Sequence, residues 1–250
     1  CPVLAGWMLR VPTAVHEQNS VPGATNRILG RVADRVLVTY PDESGSFSSG
    51  KVLLTGNPVR PEIAGFVRTG PSRVVPRRVL VLGGSQGAKA VNRVVVTAWP
   101  RLAEAGFELW HQTGSSDYES VANLYRGMPG VRVEPFITDM AGAYSWAGLV
   151  IGRAGASTLA ELACMGLPSV LVPFPHATHD HQGVNASYME RAGAAVVVRE
   201  KDFNGKMLAE LVLDLFAREA KLRAMGEAAL SQARPDAAKV IAAELTRLAA

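Results

Sequence analysis

The residues best suited to chemistry lie in a small-residue loop, Gly152 to Thr158 (GRAGAST), and at Glu161 three residues later. The loop follows an apolar run that predicts a strand and precedes a run that predicts a helix. Free backbone N–H groups and the positive end of a helix dipole bind anions at such a junction. Glu161 can accept hydrogen bonds from two adjacent ribose hydroxyls. Thr158 to Glu161 also fits a capping box, S/T-x-x-E, and the loop alone leaves both interpretations open.

A second glycine turn, LGGSQGAKA, opens the predicted helix after an earlier strand, which is again a phosphate-binding position. Its glycines, Gly83, Gly84 and Gly87, are spaced GGxxG instead of GxGxxG, and Lys89 does not complete a Walker sequence. The next strand ends in WHQTG, without the acidic residue that would hold the ribose of a dinucleotide. NAD is therefore disfavoured, and the alternative is a tight structural turn.

The stretch AVHEQNSVPG places His16, Glu17, Gln18 and Asn19 at a predicted strand end, where α/β proteins bind ligands. An HExxH zinc motif needs a second histidine where Ser20 stands. This stretch is either a ligand loop or an ordinary polar loop.

The stretch PFPHATHDHQGVN carries three histidines, His176, His179 and His181, in a single loop. Their spacing matches no zinc motif, so a polar substrate loop is favoured over a metal site. Gln182 and Asn185 offer neutral hydrogen bonds suited to a sugar.

The composition is that of a globular protein with mildly basic character. The chain has 250 residues, 48% of them hydrophobic, a net charge of +4 and two cysteines. The basic balance favours anionic partners such as phosphates or an anionic membrane face, but it is far from that of a nucleic-acid-binding protein. No apolar run reaches the roughly 18 residues that a membrane span requires. Two cysteines cannot form a disulfide framework.

The predicted elements indicate an α/β protein. Near-continuous Val, Leu and Ile runs alternate with helices from residue 78 onward, which predicts six strands in a parallel sheet covered on both faces. Earlier runs predict strands at 11–16, 35–39 and 51–55 and a helix at 23–35. Residues 65–78 predict an interdomain linker. A helix is predicted over 206–233 with a weak point at Gly226, and another after Pro235.

Two surface features have alternative interpretations. Trp7-Met8-Leu9-Arg10 is either the end of a core helix or an aromatic and basic membrane contact. Arg27, Arg31 and Arg35 recur every four residues and predict a solvated basic stripe on a helix.

Seven stretches occur in one order: HEQNSVPGATNR, GNPVR, VLVLGGSQGAKAVN, HQTG, PFITDMAGAYSWAGLVIGRAGASTLAE, GLPSVLVPFPHATHDHQGVNA and AGAAVVV. Together they closely resemble the MurG family across essentially the whole chain. That family transfers N-acetylglucosamine from UDP-N-acetylglucosamine (UDP-GlcNAc) to lipid I, forming lipid II in peptidoglycan synthesis with inversion. The resemblance implies a GT-B fold: a complete C-terminal Rossmann-like domain with a parallel sheet, and the tail of an N-terminal Rossmann-like domain. The implied divisions are residues 1–68, 69–234 and a terminal helix, 235–250, that returns to the first domain.

The resemblance also implies site residues for the donor. Asn19 and Arg60 correspond to contacts from the first domain and the hinge, and Ser85 to a phosphate contact. The backbone of Ile137 corresponds to the uracil contact, and Glu161 to the ribose contact. Gln182 and Asn185 correspond to contacts with the sugar hydroxyls. The diphosphate contact is implied at the helix start that includes Ala156, Ser157, Thr158, Leu159 and Ala160.

The implied partners are UDP-GlcNAc, lipid I and other proteins of cell-wall synthesis and division, with no metal, other cofactor or nucleic acid. The implied location is the cytoplasmic face of the bacterial plasma membrane, bound peripherally to its anionic surface. The family's N-terminal GGTGGH loop is absent from the chain, so we expect the chain alone to bind UDP-GlcNAc weakly and to transfer little or nothing. The alternatives are a non-catalytic nucleotide-sugar-binding fragment and a UDP-GlcNAc epimerase of the same architecture.

Overall fold

The first part of the chain forms a small parallel sheet. In a computed structural model that describes residues 1–66, 75–84, 87–177 and 180–250, three strands pair in chain order. These are β1 (Ala14–Glu17), β2 (Arg35–Val38) and β3 (Val52–Leu54), accompanied by helices α1 (Pro2–Met8), α2 (Ala24–Val32) and α3 (Pro61–Ala64). The predicted strands and helix of this part are confirmed, β1 with bounds that begin and end later than the predicted 11–16 and the others with shorter bounds.

The larger sheet has six parallel strands in the order β6-β5-β4-β7-β8-β9. The six strands predicted from the apolar runs are all present. Their bounds are β4 (Arg78–Leu82), β5 (Glu108–Gln112), β6 (Val131–Glu134), β7 (Leu149–Gly152), β8 (Ser169–Leu171) and β9 (Ala195–Val197). The strand order reverses at β4, which pairs with β5 on one side and β7 on the other. Ligands bind in open α/β sheets at such a reversal, outside the carboxyl ends of the strands.

Helices cover both faces of this sheet. They are α4 (Lys89–Glu104), α5 (Tyr118–Leu124), α6 (Met140–Trp146), α7 (Ala156–Met165), α8 (His181–Arg191), α9 (Gly205–Ala217), α10 (Glu219–Ser231) and α11 (Ala237–Ala249). Along β4, Val79 and Val81 join the core beneath α4 and α9, while Leu80 and Leu82 join the core beneath α6 and α7. Because both faces are buried, successive residues of the strand must all be apolar.

The prediction of one long helix over residues 206–233 is wrong in one respect. It is two helices, and the break lies at Arg218, whose backbone is not helical (φ −109°, ψ 62°). Gly226 lies inside α10 and does not interrupt it. A Cβ at that position would come within 2.7 Å of the Gly166 carbonyl oxygen. Gly226 therefore permits α10 to pack closely against the end of α7.

The C-terminal helix contacts the smaller sheet. The Nε of Arg35, the first residue of β2, lies 2.6 Å from Oε1 of Glu244 on α11. The predicted solvated stripe of Arg27, Arg31 and Arg35 is therefore incomplete, because Arg35 is used in this contact. The predicted boundary at residue 68 falls outside the described residues, and the domain divisions stay predictions.

A polar network is buried beside β5. The ring nitrogens of His111 lie 3.0 Å from the hydroxyl of Tyr125 and 3.0 Å from Oδ1 of Asn92. His111 is fully buried, and this burial lowers its pKa to about 3, because an imidazolium there would lose its hydration. The folded protein therefore keeps the ring neutral well below the ordinary pKa of histidine.

We expect acid to destabilise the fold partly through His111. The unfolded chain takes up this proton near pH 6.5 and the folded chain only near pH 3. The free energy of unfolding should therefore fall as the pH drops through that interval. Above it, the His111 ring should contribute no pH dependence to the free energy of unfolding. Between pH 7 and 5, urea denaturation should show that wild type loses about 2 kcal/mol more than a His111→Gln variant. Equal losses in the two proteins would contradict this expectation.

Candidate functional site

A cavity of about 420 Å³ opens at the carboxyl ends of β4, β5 and β7, where the strand order reverses. We call it the switch-point cavity. It lies where ligands are expected in this class of sheet, and polar groups from several elements converge on it. Its lining comprises Arg60, Leu82, Gly83, Gly84, Gln112, Phe136, Ile137, Met140, Tyr144, Arg153, Gly155, Ser157, Thr158, Glu161 and Gln182.

The start of α7 faces this cavity with free backbone donors. The helix begins at Ala156, and its N-cap is Gly155, which has no side chain to cap the first turn. The N–H groups at the first positions of an α-helix have no acceptor within the helix. Ser157 and Thr158 line the cavity beside them. The arrangement suits an anion, because donors and the positive end of the helix dipole point the same way.

The capping-box interpretation is wrong. A capping box requires Thr158 at the N-cap, but Thr158 is the third residue of α7 and Gly155 occupies the N-cap. The carboxylate of Glu161 is held by other partners. The Glu161 side chain therefore does not cap the first turn of α7.

Glu161 lies one turn inside α7 and is only 7% exposed. The Nη1 group of Arg60 donates to its Oε1, and the Tyr144 hydroxyl donates to its Oε2 at 2.8 Å. Burial, reinforced by the nearby Glu161 charge, raises the pKa of Tyr144 well above its ordinary value. Tyr144 therefore remains a neutral hydrogen-bond donor at any physiological pH.

The glycine turn after β4 forms another wall of the cavity. Gly83 and Gly84 line it, and a Cβ on Gly83 would lie 2.9 Å from the carbonyl oxygen of Gln112. Gly84 adopts a φ of +74°, which disfavours other residues. The predicted phosphate contact, Ser85, lies outside the described residues.

The predicted uracil and sugar contacts both line the cavity, from different elements. Ile137, in the segment between β6 and α6, lines the cavity with a side chain that is 2% exposed. Gln182 lines it from α8, and its Oε1 accepts a hydrogen bond from the Phe174 backbone N–H at 3.0 Å. That bond sets the orientation of the Gln182 amide.

Asn19 and Asn185 do not line the switch-point cavity. Asn185 is fully buried, and its Nδ2 donates to Oδ1 of Asn19 at 3.1 Å and to the Ala154 carbonyl at 3.3 Å. Its Oδ1 accepts from the backbone N–H and the hydroxyl of Ser20, at 2.9 and 2.6 Å. In this structure Asn185 ties the loop after β1 to α8, and all its observed bonds are to protein atoms.

Three residues of the predicted diphosphate segment also face away from the cavity. Ala156 and Leu159 are buried at 8% and 1% exposure, while Leu159 and Ala160 line a separate cavity of about 150 Å³ on the opposite side of α7. Helical periodicity explains this division, because positions one turn apart, such as Ser157 and Glu161, share a face. The side chains of Leu159 and Ala160 are therefore structural here.

The loop after β1 is organised by a buried acid. Glu17 is 4% exposed, and its carboxylate accepts from the backbone N–H of Asn19, the backbone N–H of Gly23 and the Asn26 amide, each at 2.9 Å. His16 contacts the Gly56 carbonyl at 3.1 Å. The side chains of His16 and Glu17 are thus engaged within the protein.

Neither a metal cluster nor a membrane span is found in the part of the chain that the structure describes. Among these residues no three His, Cys, Asp or Glu side chains converge as ligands, and His179 lies outside them. None of the described helices combines the length and apolar character needed to cross a bilayer.

Two residues could not be singled out from the sequence: Tyr144, which lines the cavity, and Asn57, which lies beside it. Tyr144 contacts Glu161, and Asn57 donates to the Ser157 hydroxyl at 3.3 Å. Arg153, which belongs to the predicted GRAGAST loop, donates to the carbonyls of Val172 and Pro173 at 3.2 Å. Tyr144 and Asn57 lie inside the family-like stretches GAYSW and GNPVR, which was the one available signal. Their partners are 17 and 100 residues away in the chain, so no local pattern reveals the contacts.

Comparisons with known proteins agree on one family. The glycosyltransferase family 28 C-terminal domain matches residues 78–241, and the N-terminal domain of the same family matches residues 1–38. A protein of Solidesulfovibrio magneticus is 49% identical over 100% of this chain and 70% of its own length. It is named UDP-N-acetylglucosamine–N-acetylmuramyl-(pentapeptide) pyrophosphoryl-undecaprenol N-acetylglucosamine transferase.

Solved structures show the same relationship. The crystal structure of Acinetobacter baumannii MurG superposes with a TM-score of 0.81 at 33% identity, covering 98% of this chain and 70% of that one. A UDP-GlcNAc 2-epimerase from Neisseria meningitidis, bound to UDP-GlcNAc, superposes at 0.69 with 13% identity, covering 98% of this chain and 72% of that one. The second likeness concerns the fold alone. With an α/β, GT-B-type fold and both family 28 domains matched, the chain belongs to the MurG family of glycosyltransferases.

Proposed function

We propose that the chain binds UDP-GlcNAc in the switch-point cavity and provides the donor side for transfer of N-acetylglucosamine to lipid I, in peptidoglycan synthesis. One observation carries the proposal: an uncapped helix start and a buried carboxylate face the same cavity, one helical turn apart. Ser157 and Glu161 are separated by about 6 Å along the axis, at 1.5 Å per residue. That spacing matches adjoining sites for a diphosphate and for the ribose beside it.

The proposed contacts follow from the order of the helix start and Glu161 along α7. The diphosphate lies at the N–H groups of Ser157 and Thr158, and the ribose diol donates to Glu161. The uracil then reaches the Ile137 backbone, and the sugar reaches Gln182, all within the same lining. Asn19 and Asn185 contribute behind the cavity by holding the loop after β1 in place.

The same geometry assists departure of the UDP leaving group. Negative charge grows on the diphosphate as the glycosidic bond breaks, and preorganised positive potential stabilises it. The start of α7 supplies fixed dipoles, and Arg60 adds a full charge at the cavity rim. Attack by the lipid I hydroxyl from the opposite face of the sugar inverts the anomeric centre as UDP departs, and a general base must take the hydroxyl proton.

A ligand panel tests the nucleotide assignment. At ten times its dissociation constant, UDP or UDP-GlcNAc should raise the melting temperature by about 2–4 °C, because ligand binding stabilises the folded state. NADH should have no effect, since the second strand of the sheet lacks an acid for its ribose. Stabilisation by NADH alone would overturn the assignment. Release of an epimerised sugar without a lipid acceptor would favour the epimerase alternative.

A conservative change at Glu161 tests the ribose contact. Glu161→Gln keeps the shape and an acceptor for Tyr144 but removes the charge, so UDP should bind about 10- to 100-fold more weakly. Glu210→Gln is the matched control, because Glu210 is exposed on α9 and pairs with Arg101. Calorimetric or NMR titration gives both affinities. Equal UDP affinity in the two variants would remove Glu161 from the site.

We further propose that α1 contacts an anionic membrane surface, the one in which the lipid-linked acceptor is anchored. None of the residues of α1 is buried. Trp7 is 56% exposed, and Met8 and Leu9 are each 75% exposed. Ile28, on the neighbouring helix α2, is also exposed, and exposed Arg10 adds positive charge. Apolar side chains beside basic ones are typical of interfacial contacts.

Vesicle binding tests this contact. A Trp7→Ser/Met8→Ser variant should bind phosphatidylglycerol-containing vesicles at least about tenfold more weakly, because each lost apolar side chain removes about 1.5 kcal/mol or more of burial. Leu124→Ser is the control, since Leu124 is equally exposed but lies on α5. Similar losses in both variants, or equal binding to neutral vesicles by wild type, would contradict the proposal.

A further inference from the structure

The two partners of the Glu161 carboxylate differ in how firmly they are held. The Tyr144 side chain is 1% exposed and its hydroxyl donates to Oε2 at 2.8 Å. The Arg60 side chain, which donates to Oε1, is 50% exposed at the cavity rim. Water or a ligand can replace the exposed contact at little cost, whereas the buried one cannot be replaced by solvent.

Tyr144 is itself fixed by its surroundings. It lies on α6, whose first turn is capped by the Asp139 side chain accepting from the Gly142 N–H at 2.8 Å. Its ring belongs to the core that includes Ile63, Leu159 and Leu162. Turning the ring away would leave a buried hydroxyl and a buried carboxylate oxygen without this bond, which is unfavourable. The hydroxyl is therefore a stationary donor.

A stationary donor determines where the carboxylate can accept further bonds. An ionised carboxylate has about four lone-pair positions on two oxygens. Tyr144 occupies one, and it resists rotation about the terminal side-chain bond, which is otherwise broad and roughly two-fold. Because Glu161 lines the cavity, the remaining positions, one of which Arg60 occupies in this structure, then keep a constant orientation toward a ligand there. A freely rotating carboxylate would have to be ordered each time a ligand binds.

We propose that Tyr144 is a positioning residue that orients Glu161 toward a ribose diol and thereby makes the cavity select ribonucleotides over their deoxy analogues. This inference rests on the proposed function, because it assumes that a nucleotide ribose reaches Glu161. Tyr144 acts through Glu161 and does not touch the reacting atoms. Arg60 has a different role, because its exposed guanidinium can leave the Glu161 carboxylate and approach the diphosphate.

The test compares UDP with 2′-deoxy-UDP and 3′-deoxy-UDP, by NMR or calorimetric titration of the 250-residue chain. Wild type should prefer UDP by about tenfold or more, the ratio expected for one hydrogen bond to a charged acceptor. In Tyr144→Phe the preference should fall to about threefold or less, through weaker UDP binding. Affinity for the deoxy nucleotides should change little, because they make less use of Glu161.

Tyr125→Phe is the matched control. It removes the same oxygen from another buried tyrosine, whose hydroxyl lies 3.0 Å from Nδ1 of His111 and outside the cavity lining. The control should keep the full preference for UDP. An unchanged preference in Tyr144→Phe would overturn the inference, and so would an equal loss in both variants, which would indicate a general effect of removing a buried hydroxyl.

A measurement on the unsubstituted chain covers the case in which Tyr144→Phe does not fold. In protein labelled with 3-fluorotyrosine, the ¹⁹F resonance of Tyr144 should shift with UDP and far less with 2′,3′-dideoxy-UDP. The chain has five tyrosines, so substituting the other four in turn assigns the signal. Equal shifts with both nucleotides would overturn the inference. Absence of UDP binding by wild type would instead reject the proposed function, a result distinct from UDP binding without any role for Tyr144.

Discussion

A buried carboxylate governs how the site is built. Glu161 is 7% exposed, and an ionised group at that depth is stable only when charged or polar partners replace its lost hydration. Arg60 comes from the segment after β3 and Tyr144 from α6, so two distant parts of the chain meet at α7. Both donors are thereby held beside the free N–H groups at the start of that helix. The pairing brings the uncapped start of α7 and a buried carboxylate into the lining of one cavity.

Polar contacts between the two sheets extend this arrangement. Asn185 on α8 holds Asn19 and Ser20 of the loop after β1, and Asn57 after β3 donates to Ser157 at the start of α7. Each contact joins a residue near the small sheet to the carboxyl end of the large one. The cavity therefore depends on how the two parts meet as well as on the large sheet. This explains why Arg60, which precedes the large sheet in the chain, lines a cavity whose other lining residues all lie at position 82 or later.

Much of the architecture could be predicted because burial on both faces leaves a direct trace in sequence. Val79 to Leu82 are all apolar since alternate residues enter different cores. The break at Arg218 left no such trace, because neither glycine nor proline marks it and the flanking residues favour helix. Packing of α9 against α4 and of α10 against α7 overrides that preference. Gly226 predicted a weak point where there is none, because its small size permits close packing of an unbroken helix.

The sequence by itself determined the family, the six strands of the large sheet and the helix that carries Glu161. These follow from ordered motifs, from apolar runs and from the 3.6-residue period, all of which are local properties. Only the tertiary structure decided which polar groups remain open to a ligand. Asn185 is occupied by Asn19 and Ser20, and Glu161 is held by Tyr144 and Arg60. The residue type determines which hydrogen bonds a side chain can make. Packing between segments that lie far apart in the chain determines which partner it bonds.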